Sequence, residues 1–326
     1  MRPLRPIPLA EVRAARERLA GVALRTPLLR LALDDAPAEI HLKLENLQPI
    51  GSFKLRGAWN ALALAGERAL PGGTALAGGV LTASAGNMAQ GVAWCARRLG
   101  VACRVVVPDH APKTKLAAIE RLGGEWIAVP FDEWWKVLET RKFPGLDGHF
   151  VHPVSDPDVV AGNATIGLEI AEDLPDVDTV LVPYGGGGLS SGIACALRAA
   201  APKARVFACE VETACPLSVS LRAGEPREVD YAPSFVDGIG GRSVLREMWP
   251  LVREVLAGSL VVSLEEVAGA IRLLAERARV VAEGAGAASV AAALAGKAGA
   301  GKVVCVVSGG NIDAAKLSEI LAGRLP

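Results

Sequence analysis

The stretch Asn46–Asn60, which reads N-L-Q-P-I-G-S-F-K-L-R-G-A-W-N, decides how the rest of this chain is interpreted. Gly51 and Ser52 are typical of a turn followed by a helix N-cap, and they predict a helix that begins near Lys54. A lysine is unfavourable there because the start of a helix carries partial positive charge. One reason to keep it is that the amine is bound as an imine to a carbonyl cofactor. The alternative is an ordinary surface lysine with a solvated charge.

The composition indicates a cytoplasmic α/β protein of one or two domains. The 326 residues are 51% hydrophobic but only 4% aromatic, so alanine, valine and leucine must build the core. The 35 basic and 35 acidic residues balance, which favours neither a nucleic-acid nor an anionic-membrane partner. Prolines near the N-terminus argue against a signal peptide, and no apolar run reaches the roughly 20 residues of a membrane span.

The cysteine pattern also indicates a cytoplasmic protein. No C-x-x-C pair is present, and most of the cysteines lie within apolar runs, which predicts reduced, buried thiols and neither disulfides nor a zinc site. The six are Cys95, Cys103, Cys195, Cys209, Cys215 and Cys305.

Strands, glycine-containing turns and helices alternate along the chain. The pattern predicts strands at 39–45, 79–82, 103–107, 125–129, 178–183, 205–211, 259–263 and 302–307. It predicts helices at 9–20, 54–64, 88–99, 112–122, 133–140, 159–173, 190–200, 265–279 and 284–295. Such alternation favours parallel sheets with helices on their faces, whose ligands bind beyond the carboxyl ends of the strands. Residues 76–150 are predicted to form a small domain, and residues 1–75 and 151–326 a larger one.

Four consecutive glycines, Gly185–Gly188, follow a predicted strand and precede a predicted helix. Without side chains in the way, successive N–H groups can turn towards one oxyanion, and the helix start adds positive potential. The motif matches neither the dinucleotide nor the nucleoside-triphosphate fingerprint. It therefore predicts a phosphate site of another kind, the alternative being a tight turn without a ligand.

Two more small-residue turns are expected at the same edge. The N–H groups of Ser84–Asn87, at a helix start, can hold a carboxylate, and Asn87 can reach a phenolic oxygen. Ser308, at the end of the last strand, can offer a neutral hydrogen bond. Simple capping and a polar strand end are the alternatives. Three such turns together with Lys54 predict one site.

These residues together resemble the fold-type II (tryptophan synthase β-like) pyridoxal phosphate enzymes. The matching motifs are S-F-K-L-R-G-A at 52–58, S-A-G-N at 84–87, G-G-G-G-L at 185–189 and S-G-G-N at 308–311. The closest branch is that of the threonine and serine dehydratases (ammonia-lyases) and serine racemases, which A-G-N-A-T-I-G-L-E-I at 161–170 and E-G-A-G-A at 283–287 also match. The resemblance spans nearly the whole chain and implies two open parallel-sheet domains with helices on both faces.

The resemblance also implies residue roles. Lys54 would bind pyridoxal 5'-phosphate and move the proton at Cα, with Ser84 as a second catalytic residue. The other cofactor contacts would come from Phe53 against the ring, Asn87 at the phenolic oxygen, Ser308 at the pyridine nitrogen, Gly185, Gly186, Gly187, Gly188 and Leu189 at the phosphate, and Glu283. The amino-acid substrate would be held by Ser84, Ala85, Gly86, Asn87 and Met88.

This sequence departs from the family pattern at four places, one of which is Asn163 where a glutamine is usual. Met88 stands where the dehydratases usually carry histidine, and Ala85 stands where racemases carry a second serine, so racemisation is not expected. Glu210 and Ala214 match the family's divalent-cation site, but Pro216 replaces its aspartate. A bound metal is therefore not expected.

The implied activity is β-elimination from a β-hydroxy amino acid such as L-threonine or L-serine, giving a 2-oxo acid and ammonia. A β-replacement enzyme of the cysteine-synthase kind is an alternative, as is a dehydratase for a bulkier substrate such as an aryl-serine or hydroxyaspartate. A non-catalytic protein that binds a phosphate ligand is a third. The family resemblance implies a homodimer or homotetramer.

Overall fold

The computed structural model describes residues 3–68 and 76–326. Its strands are β1 (Leu28–Arg30), β2 (Glu39–Lys43), β3 (Val80–Ala83), β4 (Cys103–Pro108), β5 (Glu125–Val129), β6 (His149–Phe150), β7 (Thr179–Pro183), β8 (Arg205–Val211), β9 (Gly258–Val262) and β10 (Lys302–Val306). No described helix is long and apolar enough to cross a membrane.

The α-helices of the same residues are α1 (Leu9–Leu19), α2 (Lys54–Glu67), α3 (Asn87–Leu99), α4 (Lys113–Arg121), α5 (Phe131–Thr140), α6 (Pro157–Asp173), α7 (Gly188–Ala200), α8 (Pro216–Ala223), α9 (Trp249–Val255), α10 (Leu264–Leu273), α11 (Gly284–Leu294) and α12 (Ala314–Leu321). A short 3-10 helix covers Glu45–Leu47, and a π-helical turn, Leu274–Ala278, extends α10.

The strands form two separate sheets. The larger sheet has the order β1-β2-β10-β7-β8-β9, and the smaller has the order β5-β4-β3-β6. All neighbours are parallel except β1, which pairs antiparallel with β2 at the edge of the larger sheet. Parallel strands require helical crossovers, and the observed helices supply them. The α/β fold class predicted from the sequence is confirmed. The predicted domain boundary at residue 75 lies outside the described residues.

Apolar side chains cover both faces of both sheets. Two large buried clusters flank the six-stranded sheet, and two smaller ones flank the four-stranded sheet. Alanine and glycine allow close approach between helices: a Cβ on Gly162 of α6 would lie 2.4 Å from the Arg56 carbonyl oxygen of α2. The low aromatic content therefore suits this packing, and five of the six cysteines are buried as predicted.

The helix that carries Lys54 begins where the sequence predicts, but its cap differs. Phe53 occupies the N-cap position and no side chain caps the helix, so the N-cap role predicted for Ser52 is wrong. The backbone of Ser52 instead forms a β-bridge with Gly309, and its side chain is buried. Sequence analysis also missed β6, α8, α9 and α12, which are short and flanked by irregular chain.

Candidate active site

A cavity of about 380 Å³ is lined by loops at the carboxyl ends of strands from both sheets. This volume lies in the usual range for small-molecule sites. All the residues predicted to bind cofactor or substrate line it: Phe53, Lys54, Ser84, Ala85, Gly86, Asn87, Met88, Gly185, Gly186, Gly187, Gly188, Leu189, Glu283 and Ser308. The structure thus brings together four motifs that are far apart in sequence.

Backbone hydrogen bonds hold the Lys54 segment against the loop after β10. The Phe53 N–H donates to the Ser308 carbonyl oxygen at 3.0 Å, and the Gly310 N–H donates to the Gly51 carbonyl oxygen at 2.9 Å. These two bonds fix the start of α2 beside the end of a central strand. The Lys54 amine and the Ser308 hydroxyl consequently face the same cavity.

The amine of Lys54 is enclosed by protein, although the side chain itself borders the open cavity. Its Nζ donates a hydrogen bond to the Pro153 carbonyl oxygen at 3.1 Å and lies 5.0 Å from the centre of the Phe53 ring. Desolvation lowers the pKa of Lys54 to about 8, and the Glu283 carboxylate partly opposes this shift. A substantial fraction of the amine is therefore neutral near physiological pH, as a nucleophile or a general base must be.

The glycine loop starts directly after β7 and leads into α7. Gly187 adopts a left-handed conformation with φ of +95°, which favours glycine. The first N–H groups of α7, beginning at Gly188, have no acceptor within the helix, because those bonds start one turn later. They lie in the cavity wall, where the helix start attracts an anion.

A turn at 152–155 contacts both the glycine loop and Lys54. A Cβ on Gly186 would lie 2.4 Å from Val154 Cγ1, and one on Gly188 would lie 2.9 Å from the Val154 carbonyl oxygen. Packing is therefore a reason for glycine at these two positions besides the predicted phosphate site, because Val154 occupies the space that side chains there would need.

His152 shapes this turn. Its Nδ1 accepts hydrogen bonds from the N–H groups of Val154 at 3.1 Å and Ser155 at 2.8 Å. Burial, followed by the positive charges of Arg141 and Lys54, lowers the pKa of His152 to about 3. The imidazole is therefore neutral at physiological pH and can accept both bonds. It thereby sets the position of the Pro153 carbonyl that binds Lys54.

Asn87 and Glu283 form a polar pair on the wall opposite the glycine loop. Asn87 Nδ2 donates to Glu283 Oε1 at 2.8 Å, and Asn87 Oδ1 accepts from Asn311 at 2.8 Å. The second N–H of the Asn87 amide remains available for a ligand oxygen. Burial, and then the nearby Asp237 carboxylate, raises the pKa of Glu283 to about 7. This carboxyl group therefore exchanges its proton near neutral pH.

The turn at Ser84–Met88 leads into α3. The Gly86 N–H donates to Ser84 Oγ at 3.2 Å, so this hydroxyl partly caps the turn. Met88 is buried but still borders the cavity. Small residues leave the backbone N–H groups at the helix start accessible to a carboxylate.

Glu210 and Ala214 lie outside this cavity, and Glu210 has other partners. Its carboxylate accepts from the N–H groups of Leu217 and Ser218 at the start of α8 and from the Ser259 hydroxyl. Within residues 3–68 and 76–326, no group of three or more acidic, histidine or cysteine side chains is arranged to hold a metal. Glu210 acts here as a hydrogen-bond acceptor at a helix N-terminus.

Several cavity residues were not identified from the sequence. Asp237 and Lys115 form an ion pair of 2.8 Å. Asp237 lies in a loop of the half that contains the larger sheet, and Lys115 lies in α4, which belongs to the half that contains the smaller sheet. Phe131 and Trp134 lie on the wall near α5. Neither pair belongs to a glycine motif, and only the packing of the two sheets brings them to the cavity.

The donors of this cavity fit a phosphorylated aldehyde. An amine of lowered pKa lies in the same enclosure as a helix start whose glycine loop, Gly185–Gly188, puts no side chain over the backbone N–H groups. The Oδ1 of Asn163, which also borders the cavity, is buried without a hydrogen-bond partner. Charge, shape and donor chemistry therefore suit pyridoxal phosphate.

A family comparison agrees with this geometry. Residues 20–309 match the model of the pyridoxal-phosphate dependent enzymes, so the chain belongs to that family and pyridoxal phosphate is its cofactor. Among curated proteins it is 41% identical to an L-threonine ammonia-lyase of Thermotoga maritima over 325 residues, covering 97% of this chain and 78% of that one.

Two solved structures extend the comparison. The processed form of threonine deaminase isoform 2 from Solanum lycopersicum is similar with a TM-score of 0.86 and 32% identity, covering 97% of this chain and 92% of that one. Maize serine racemase is similar with a TM-score of 0.85 and 29% identity, covering 98% of each chain. The resemblance recognised in the motifs is thereby confirmed.

Proposed function

We propose that this enzyme is an ammonia-lyase that converts a β-hydroxy amino acid, with L-threonine and L-serine as the default substrates, to a 2-oxo acid and ammonia. The relative from Thermotoga maritima is named for this reaction on threonine. The observation that carries the proposal is the position of Lys54, whose amine has a pKa of about 8 and shares a cavity with two helix starts.

Pyridoxal phosphate, when bound, supplies the electron sink that stabilises negative charge at the substrate Cα. The backbone N–H groups of Gly185–Leu189 would hold its phosphate. Phe53 would lie beside its ring, and Asn87 and Ser308 would offer hydrogen bonds to its polar ring atoms. Glu283 orients Asn87 through their hydrogen bond.

The substrate is held at the other helix start. The N–H groups of Ser84–Met88 bind its carboxylate, and the helix dipole of α3 adds to the attraction. The neutral Lys54 Nζ removes the Cα proton, which requires the lowered pKa. Loss of the β-hydroxyl as water and later hydrolysis of the unsaturated amine give the 2-oxo acid and ammonia.

The test is formation of 2-oxobutanoate from L-threonine by wild-type protein, Lys54→Ala and the matched control Lys203→Ala. Lys203 is an exposed surface lysine away from the cavity. We expect turnover to be lost in Lys54→Ala and retained in Lys203→Ala. Equal activity of Lys54→Ala and wild type contradicts the proposal. A product that appears only when sulfide is supplied indicates β-replacement instead.

We also propose how the chain is organised. Residues 1–75 and 151–326 would form the cofactor-binding domain, and residues 76–150 a smaller substrate-side domain, which the two separate sheets support. The family resemblance supports a homodimer or homotetramer, and buried free thiols support a cytoplasmic location. Light scattering after size exclusion tests the oligomer. A shift of one sheet relative to the other between free and liganded crystals tests the domains.

A further inference from the structure

A cluster of four rings lies at one wall of the cavity. Phe131 lies 5.5 Å from Trp134, 6.4 Å from Trp135 and 6.1 Å from His110, measured between ring centres. Phe131 and Trp135 are 44% and 42% exposed. Phe131, Trp134 and His110 border the cavity, whereas Trp135 does not. In a chain with 4% aromatic residues, such a concentration at a cavity marks a surface for an apolar ligand.

The sheet topology explains why this wall faces the substrate. In the smaller sheet the strand order is β5-β4-β3, and all three run parallel. The turn at Ser84, the segment at His110 and the start of α5 at Phe131 follow the carboxyl ends of these three neighbouring strands. A substrate whose carboxylate binds at Ser84 and whose Cα faces Lys54 therefore has the aromatic wall within the same enclosure.

The charges of the wall disfavour an acidic substrate side chain. Lys115 is bound to Asp237 at 2.8 Å, and His110 Nδ1 lies 3.2 Å from Asp109 Oδ1. A second substrate carboxylate, as in hydroxyaspartate, would have to displace one of these acidic partners. The wall thus offers ring faces, and the ammonium group of Lys115 is already paired with Asp237.

We propose that the preferred substrate carries an aromatic ring at Cβ, so that the enzyme dehydrates L-3-phenylserine with a higher kcat/KM than L-threonine. The inference rests on the proposed function and specifies its substrate class. A methyl group leaves the faces of Phe131 and Trp134 uncovered, whereas an aryl group can stack on them and bury apolar area.

The reaction is the same elimination. The Cα proton moves to Lys54 Nζ, the Cβ–O bond breaks, and the hydroxyl leaves with a proton as water. The resulting enamine tautomerises to an imine, and water hydrolyses it to phenylpyruvate and ammonia. The water released equals the water consumed, and no external oxidant or reductant is involved.

The experiment compares kcat/KM of the holoenzyme for L-3-phenylserine, as both β-diastereomers, and for L-threonine. We expect kcat/KM for the better phenylserine diastereomer to exceed kcat/KM for threonine by about tenfold, which is a typical discrimination for an apolar pocket. In Trp134→Ala the phenylserine-to-threonine ratio of kcat/KM should fall by about the same factor. Trp135→Ala is the matched control, since it removes a ring of the same helix that does not border the cavity.

A binding measurement accompanies turnover. L-phenylalanine, which lacks the β-hydroxyl, should inhibit threonine turnover at lower concentration than L-alanine and should change the tryptophan fluorescence. The fluorescence change should shrink in Trp134→Phe and persist in Trp135→Phe. If Trp134→Ala does not fold, as judged by circular dichroism and cofactor absorbance, Trp134→Leu replaces it and keeps most of the volume.

The outcomes separate the two proposals. Threonine turnover that exceeds phenylserine turnover overturns the aromatic assignment and leaves the proposed function standing. A phenylserine-to-threonine ratio of kcat/KM that is unchanged in Trp134→Ala also overturns the aromatic assignment, because Trp134 then contributes nothing to substrate preference. If neither amino acid is converted, the proposed function fails and the substrate assignment fails with it.

Discussion

The contact between Val154 and the glycine loop can be tested with a pair of substitutions. In Gly186→Ala the new Cβ would lie 2.4 Å and 2.6 Å from the two Val154 methyl carbons and 3.0 Å from Val154 Cβ. Carbon atoms pack best at about 3.5–4.0 Å. Rotation about the single χ1 of Val154 cannot relieve the overlap, because its Cβ is also too close. Hydrogen bonds to His152 restrain the backbone of the turn.

We expect Gly186→Ala to lower the free energy of unfolding by about 1–3 kcal/mol, as overpacking does. Val154→Ala alone should lower it by about 1 kcal/mol, since it removes two methyl groups that are only half-buried. The double variant should lose less free energy of unfolding than the two single losses added together, because the clashing methyl groups are gone. We expect a coupling energy of about 1–2 kcal/mol.

Two other glycines of the loop serve as controls. In Gly188→Ala the new Cβ would lie 2.9 Å from the Val154 carbonyl oxygen, a backbone atom that Val154→Ala does not remove. Val154→Ala should therefore rescue Gly186→Ala but not Gly188→Ala. In Gly185→Ala the nearest atom is the Gly238 carbonyl oxygen at 3.6 Å, so this variant should remain about as stable as wild type.

The assay is urea denaturation of the cofactor-free proteins, followed by tryptophan fluorescence, with pyridoxal phosphate titration of each folded variant. Gly186→Ala should also bind the cofactor more weakly, because the displaced loop carries the N–H groups that we propose bind the phosphate. Wild-type stability of Gly186→Ala would refute the reasoning. Equal rescue of Gly186→Ala and Gly188→Ala by Val154→Ala would refute it as well.

Three further predictions concern titratable groups around the cavity. In cofactor-free protein, the free energy of unfolding should rise as pH increases from about 8 to 10.5, because the unfolded chain still binds the proton that folded Lys54 has lost. Denaturation at several pH values should show no such rise in Lys54→Met. His152→Ala should cost about 1–3 kcal/mol by leaving two N–H groups unsatisfied, and His152→Asn, whose Oδ1 can accept the same bonds, should recover much of it. As pH falls from 6.5 towards 3, only unfolded His152 binds a proton, so the free energy of unfolding of wild type should fall in this range. In an acid denaturation series, the free energy of unfolding of His152→Asn should fall less. Since the pKa of Glu283 is raised from 4.5 to about 7, the free energy of unfolding should fall as pH rises across that window. Asp237→Asn should make this fall smaller and Lys115→Met should make it larger. Unfolding midpoints at pH 5 and 7 would show both changes.

Local chemistry explains what the sequence predicted correctly. Glycine runs and helix starts are encoded within a few residues, so Gly185–Gly188 and Ser84–Asn87 could be recognised as turns at helix starts without a fold, while anion binding there stays a prediction. The repeated alternation of strand, turn and helix placed each of these turns at the carboxyl end of a strand, but the expectation of one shared sheet edge was wrong, because β7 and β3 belong to different sheets. Lys54 followed because its position at a helix start is itself a local anomaly.

Short elements and caps were predicted less well, because tertiary contacts override local preference there. Ser52 has the residue type of an N-cap, yet pairing with Gly309 takes its backbone elsewhere. The strand β6 has only two residues and exists because it pairs with β3. Neither outcome follows from the neighbouring sequence alone.

The sequence by itself determined the longer helices and strands, the order of the glycine turns and the position of Lys54 at a helix start, since each is set by backbone geometry over a few residues. Only the tertiary structure decided the environment of that lysine. The carbonyl of Pro153, 99 residues away, accepts its hydrogen bond, and enclosure by both halves of the molecule lowers its pKa. The aromatic wall at Phe131 and Trp134 likewise exists only because three parallel strands end side by side, and burial and proximity of this kind are properties of packing that no local pattern records.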